Sequence, residues 1–257
     1  MTAVTVNNLW KEYGDQMVLE RVNTSIHDKA FCSIVGASGC GKTTFLRILL
    51  GQESQTRGTI TLDGKPLSID PSVDRGIVFQ RYSVFPHLNA VENVALGLEL
   101  RRAPVLGRLF GAARKTALDE AQTYLAAVGL DHAADKYPAE LSGGMQQRLA
   151  IAQALIKKPK VLLLDEPFGA LDPGIRADMH ELTMRLWDET DMTIFMVTHD
   201  IEEGFKLGTR MLVFDKVRID PDAPGAFGAT ITYDIPLTKK TKGELKDIQN
   251  LDLKKKD

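Results

Sequence analysis

Two hydrophobic rhythms alternate along the chain. Short runs rich in β-branched and aliphatic residues, bounded by turn-forming residues, predict strands at Val4–Leu9, Ala30–Val35, Thr59–Leu62, Gly76–Phe79, Val161–Leu164, Met192–Val197, Arg210–Phe214 and Ala229–Ile235. Between Val91 and Ala152 that rhythm gives way to helical spacing of the apolar positions. The pattern predicts an α/β core interrupted by a helical block. No period of 20–50 residues recurs, so a solenoid is not expected. The stretch Thr238–Asp257 is Lys-rich, with interleaved acids and few large apolar groups, and reads as a surface helix or frayed tail.

Composition narrows the picture. A chain of 257 residues that is 44% hydrophobic and 26% charged can bury one large or two small cores. The net charge of −2 supplies no basic field for nucleic acid. The opening residues lack the basic and apolar regions of a secretory leader. The apolar runs are far shorter than the roughly 18–20 residues a membrane span needs, so any membrane link is expected to run through a partner. Cys32 and Cys40 form no disulfide framework, which suits a reducing cytoplasm.

Residues 36–43 read Gly-Ala-Ser-Gly-Cys-Gly-Lys-Thr, a full phosphate-loop pattern. An apolar strand precedes the loop, and Thr44–Leu50 follows with helical character before Gly51. Glycines allow successive backbone N–H groups to curl around phosphate, and the helix start adds partial positive charge. Gly36, Ala37, Ser38, Gly39, Cys40, Gly41, Lys42, Thr43 and Thr44 are therefore the candidate nucleotide cradle. Within it Lys42 is expected to bridge the β- and γ-phosphates, and the Thr43 hydroxyl to ligate Mg²⁺. No Asn-Lys-x-Asp guanine reader occurs, which disfavours GTP.

Val161–Leu164 runs directly into Asp165, Glu166 and Pro167. A buried parallel strand presents both carboxylates at its C-terminal end, where α/β sites form. Asp165 suits Mg²⁺. Glu166, pointing elsewhere, suits polarising an attacking water. The segment from Leu141 to Arg148 reads Leu-Ser-Gly-Gly-Met-Gln-Gln-Arg. Ser142 is an N-cap candidate, and Gly143 and Gly144 leave the helix start bare for phosphate. A second anion cradle in one chain makes sense if two copies complete each other's nucleotide sites.

Leu141–Arg148 matches the signature motif of the ABC transporter ATPase family, and the chain resembles that family from about Val4 to Phe214, with every motif in order. The resemblance implies a P-loop NTPase of ABC-ATPase fold: a mixed-sheet α/β core, an inserted helical subdomain and an antiparallel β subdomain. It implies one ATPase domain over 1–220, with the helical subdomain at about 88–158. A short extension at 221–257 follows, too small for a separate regulatory domain. Tyr13 stands where relatives stack an aromatic on adenine, with Trp10 as its competitor. Gln80 matches the glutamine that contacts Mg²⁺ and water beside the transmembrane partner. Gly169–Asp172 resembles the loop crossing the dimer interface, and His199 matches the histidine that holds the γ-phosphate. The resemblance further implies that Ser142 and Gly144 face ATP held by the opposite subunit, with Gly143 and Asp172 among the nucleotide-binding residues.

By the same resemblance the chain is an ATPase powering a transporter, with ATP and Mg²⁺ as its cofactors. Expected partners are a second copy, permease subunits that span the bilayer, and a separate substrate-binding protein. The location implied is the cytoplasmic face of the inner membrane. The wording of the motifs is most similar to the nitrate/sulfonate/taurine/bicarbonate importers. An exporter subunit and a soluble ABC ATPase are the alternatives. Gln153 departs from the arginine many relatives carry there. Cys40 stands either as a reactive thiol or as a packed one. Arg101, Arg102, Arg108, Arg114 and Lys115 form a basic stretch, read either as a lipid contact or as a solvated insertion.

Overall fold

The computed structural model describes residues 2–68, 72, 74–79, 84–103, 107–223 and 225–237. In chain order the elements are β1 (Thr2–Tyr13), β2 (Gln16–His27), β3 (Phe31–Gly36), α1 (Lys42–Leu50), β4 (Arg57–Leu62), β5 (Lys65–Pro66), β6 (Arg75–Val78), α2 (Ala90–Arg102), α3 (Gly111–Ala127), α4 (Gly143–Leu155), β7 (Val161–Asp165), α5 (Pro173–Asp188), β8 (Thr193–Val197), α6 (Ile201–Leu207), β9 (Arg210–Asp215) and β10 (Thr230–Pro236). Short 3-10 turns at Asp131–Ala133 and Pro138–Glu140 precede α4. The described residues divide into two compact units, one from residues before 71 together with those from 193 onward, the other from 71–192.

The first unit carries an antiparallel sheet in the order β2-β1-β4-β5. Its register pairs Val4 with Ile26 and Val6 with Thr24 on one side, and Val4 with Leu62 and Val6 with Ile60 on the other. Val4, Val6, Leu9, Val22, Ile26 and Ile60 are buried along this sheet. The same unit holds a mixed array. β3 runs parallel to both β8 and β9, while β10 returns antiparallel on β9. β3 reads Phe-Cys-Ser-Ile-Val before its glycine, and all five are buried. That near-continuous apolar run marks a strand covered on both faces.

The second unit places β6 parallel to β7 and gathers the helices. α2 packs on α3 and α4, and α4 on α5. Ala117, Ala121 and Leu125 of α3 and Val94, Ala95 and Leu98 of α2 are all buried, and the two helices pack on each other. α2 starts with a reciprocal capping box, Asn89 accepting from the Glu92 backbone while the Glu92 carboxylate accepts from the Asn89 backbone.

All eight expected strands are present with edges moved by a few residues, and the helical block carries α2, α3 and α4. β2 and the two-residue β5 were not expected. Tail residues 238–257 lie outside the described residues, as does Gln80. Among the described residues no helix is long and apolar enough to cross a membrane.

Candidate functional site

In the first unit, β3 delivers the chain at Gly36 into the loop that opens α1. Gly36, Gly39 and Gly41 have φ of 151°, 77° and 87°, values that favour glycine. A Cβ on Gly36 would overlap the Phe214 carbonyl oxygen, and one on Gly41 would approach Leu19 Cδ2 to 2.8 Å. The glycines therefore serve both the curl of the loop and its close seating on β9 and β2. Ala37, Ser38 and Gly39 are exposed, whereas Cys40 is packed.

Lys42 is buried, and its ammonium donates to the carbonyls of Gly36 at 2.7 Å and Ala37 at 2.8 Å. A cation held inside a ring of left-handed glycines, at the first residue of a helix, is a fitting receptor for a polyphosphate. α1 has no side-chain cap, since Gly41 occupies the N-cap. Thr43 and Thr44 follow, half-buried on the first turn. A hydroxyl there is a hard oxygen donor of the kind Mg²⁺ takes beside phosphate oxygens.

Tyr13 ends β1 and is 44% exposed. Its hydroxyl donates to Glu53 and has Thr44 within hydrogen-bonding reach, and burial followed by the Glu53 carboxylate raises its pKa. Trp10 is occupied differently. The guanidinium groups of Arg21 and Arg57 lie 5.6 and 5.4 Å from its ring centre, and its Nε1 donates to Asn8.

His199 follows β8 and is exposed. Its backbone is held from both sides. The buried Thr198 hydroxyl donates to Glu203 at 2.6 Å, the Asp200 N–H donates to that hydroxyl, and Asp200 caps α6 by accepting from the Glu203 N–H. Thr198 and Glu203 thus fix the turn that carries the histidine. Sequence reasoning missed both, because only their three-dimensional pairing singles them out.

In the second unit, β7 is buried through Leu164 and then emerges at half-buried Asp165 and Glu166. Glu166 has φ of 48°, a left-handed conformation that costs a non-glycine residue roughly 1–3 kcal/mol. The inversion sends the Glu166 side chain away from the alternation that aims Asp165. Local strain at a carboxylate, rather than elsewhere in the strand, is characteristic of functional positions.

α4 begins as expected. Ser142 is its N-cap and accepts from the Met145 N–H at 3.3 Å, and both Ser142 and Gly143 are exposed. Gly144 is different. It is buried, and a Cβ there would lie 2.5 Å from Ile175 Cγ2 of α5. Its missing side chain makes room for a neighbouring helix, so only Gly143 matches the bare-surface expectation. Gln146 donates to the carbonyls of Pro138 and Leu141, and Arg148 to that of Val128, which ties the start of α4 to the turns before it. Gln147 is fully buried, with neither amide atom paired. Asp172 is the exposed N-cap of α5 and makes no side-chain capping bond. Gln153 is half-buried on α4.

Two of the basic residues are taken up locally. Arg102 bonds Glu120 at 2.7 Å, and Arg114 bonds Glu92 at 2.8 Å. Among the described residues no group of three or more His, Cys, Asp or Glu forms a metal cluster.

A strand entering a glycine loop that opens a helix, and a buried strand ending in paired acids, are the parts of a P-loop NTPase, and the Ser142-capped helix start of the Leu141–Arg148 segment narrows the class to the cassette type. The chain belongs to the ABC transporter family, whose sequence model matches residues 19–169. It is 41% identical over 228 residues to the nitrate import ATP-binding protein NrtD of Synechocystis sp., covering 89% of this chain and 80% of that protein. It is 40% identical over 243 residues to the bicarbonate transport ATP-binding protein CmpC of Synechococcus elongatus, covering 92% of this chain but only 34% of that longer protein. Among solved structures, the dimeric post-hydrolysis state of an ATP-binding cassette bound to ADP and Pi superposes with a TM-score of 0.71 at 29% identity, covering 91% of this chain and 99% of that one. The chain is accordingly an ABC ATPase, an ATP-binding transport subunit for which Mg²⁺ is the customary companion of the nucleotide.

Proposed function

We propose that this chain is the motor subunit of an importer for a small solute of the nitrate, sulfonate, taurine or bicarbonate kind, or another small nitrogen or organic ion. It works as a homodimer under permease subunits at the cytoplasmic face of the inner membrane, supplied by a separate substrate-binding protein. The relatives named for nitrate and bicarbonate transport support the solute class. A single ATPase domain over 1–220, with a helical subdomain at about 88–158 and a short extension from 221, is the organisation proposed.

The observation that carries this reading is the pair of glycine-opened helix starts in one chain, at α1 and α4. Each presents backbone N–H groups and a helix dipole to an anion. A polyphosphate on the α1 loop is met by Lys42 and by the amides of residues 36–44, while Ser142 and Gly143 are available to ATP on a second subunit. Asp172 belongs to the same interface.

Catalysis here is placement and charge stabilisation rather than covalent chemistry. Lys42 leaves its loop carbonyls to follow charge on the β- and γ-phosphates. Glu166 accepts the proton of the attacking water, and its inverted backbone directs the carboxylate for that task. His199, on its braced turn, donates to the γ-phosphate oxygens. Thr43, Asp165 and Gln80 are the residues that would hold Mg²⁺, which would supply charge neutralisation to the phosphates. Tyr13 offers its ring to the adenine.

Two experiments test the proposal. Affinity purification of the tagged chain from membranes should bring down a membrane-spanning subunit, whereas recovery of the chain alone contradicts the importer role. Ser142→Arg should abolish hydrolysis while leaving ATP binding by the monomer intact. Full turnover in that variant removes the composite site.

A further inference from the structure

The ring of Tyr13 is not a free surface aromatic. Its hydroxyl donates to Glu53, which lies three residues beyond the C-terminus of α1. Glu53 is itself restrained. Arg47 approaches its carboxylate at 3.4 Å, Lys11 at 3.7 Å, and its backbone N–H reaches the Arg47 carbonyl. Lys11 donates to the Ser54 carbonyl at 2.8 Å, and its ammonium stands 4.6 Å from the Tyr13 ring centre. Lys11 and Tyr13 are two positions apart on β1 and so project from the same face of the strand. One face of the ring therefore carries a cation, its tip is tied to a carboxylate, and 44% of the residue remains exposed.

The geometry points to Glu53 and Lys11 as positioning residues that hold Tyr13 as a one-sided platform for a purine base. The inference rests on the reading of Tyr13 as the adenine-stacking ring. A tyrosine fixed at its hydroxyl has already lost the rotational freedom that stacking would otherwise consume, so binding gains from preorganisation. Lys11 covers one face and leaves stacking to the other, with the cation–π contact holding the ring at its centre. Glu53 is joined to the phosphate loop through α1, so the base platform and the phosphate cradle share one rigid element. Thr44, on the first turn of α1, also hydrogen-bonds that hydroxyl.

The test compares binding of ATP with binding of inorganic tripolyphosphate, which has no base, to the full-length chain by calorimetry. Glu53→Ala should weaken ATP by about fivefold, the size expected from losing one ordering hydrogen bond, and leave tripolyphosphate unchanged. Glu53→Gln, which keeps an acceptor for the hydroxyl, should restore most of the ATP affinity. Tyr13→Phe should reproduce the Glu53→Ala loss from the other side of the bond. In a Tyr13→Ala background, Glu53→Ala should add nothing further. Equal weakening of both ligands, or full additivity with Tyr13→Ala, overturns the positioning role. If Tyr13→Ala weakens ATP while Glu53→Ala is silent, only the positioning role fails. If Tyr13→Ala leaves ATP affinity intact, the adenine platform fails and the positioning role with it.

Discussion

Gly36 and Gly144 both lie in phosphate-binding motifs, yet they are glycines for different reasons. Gly36 combines a φ of 151° with a closely approaching Phe214 carbonyl, so any side chain there meets backbone that cannot move aside. Gly144 has ordinary helical geometry, and its obstacle is a side chain, the Cγ2 methyl of β-branched Ile175. Gly144→Ala should therefore cost about 1–3 kcal/mol of stability through overpacking. Ile175→Ala in the same chain should return part of that loss, because the two sites share one contact. Thermal unfolding of the two single variants and the double checks this, and strict additivity would break the link between the α4 start and α5. Cys40 is a second residue whose setting decides its chemistry. It is only 4% exposed, with its sulfur 3.7 Å from the Lys42 ammonium, whereas burial pushes the thiol of the fully buried Cys32 far up. Maleimide should reach Cys40 slowly and only through opening of the loop. Once attached it should block ATPase turnover, and MgATP should slow its attachment. Mass spectrometry of labelled, still-active protein would disprove that expectation.

At the level of elements, legibility followed the reach of the interactions. The loop opening α1, the cap of α4 and the acids ending β7 were readable because each depends on neighbours within a few positions in the chain. β2 was not. Its inward-facing residues include Glu20 and Thr24, so the apolar alternation from Leu19 to Ile26 is broken by polar groups. Their partners are remote in sequence. Glu20 accepts from Arg218 and from the Gly228 N–H, and Thr24 donates to Asp234 at 3.3 Å. No local pattern announces such pairs. The same limit hid Ile175 behind Gly144, and Glu53 beside Tyr13. Asn93 of α2 shows how much one buried amide can organise. It is fully buried, accepts from the Phe85 N–H, and donates to the carbonyls of Phe85, Leu88 and Asn89. It thereby fastens the segment entering α2 to the helix itself. Asn93→Ala takes this partner from the Phe85 N–H and the Leu88 carbonyl, while the Phe85 and Asn89 carbonyls still accept from the Leu88 and Asn93 backbone N–H groups. The expected loss is about 3 kcal/mol, equivalent to a melting point lower by roughly 5–10 °C. A shift below about 2 °C would mean that water replaces the amide.

For the whole molecule, the decisive property is that one chain carries two glycine-opened helix starts and, at the end of a buried strand, the left-handed carboxylate Glu166. Glu166→Gln probes them together. The amide has nearly the shape of the carboxylate, so the left-handed turn at φ 48° and the packing around it should persist. What disappears, on the role proposed for Glu166, is the proton acceptor. Loss of a general base typically costs about 10²–10⁴-fold in rate, and steady-state hydrolysis should fall by that amount. Binding is a separate matter, because the loop at 36–44 and Lys42 are untouched, so ATP affinity should stay near that of the unaltered chain. If each phosphate is gripped by α1 of one chain and α4 of the other, as proposed, ATP that binds but does not turn over should hold two chains together. Sedimentation of Glu166→Gln with MgATP should therefore show a dimer, and ADP should return it to monomer. Ser142→Arg added to Glu166→Gln should remove the dimer without removing the nucleotide, since it alters only the second grip. A double variant that still dimerises with ATP would mean that the chains meet through some other surface, and one nucleotide would then need only one cradle.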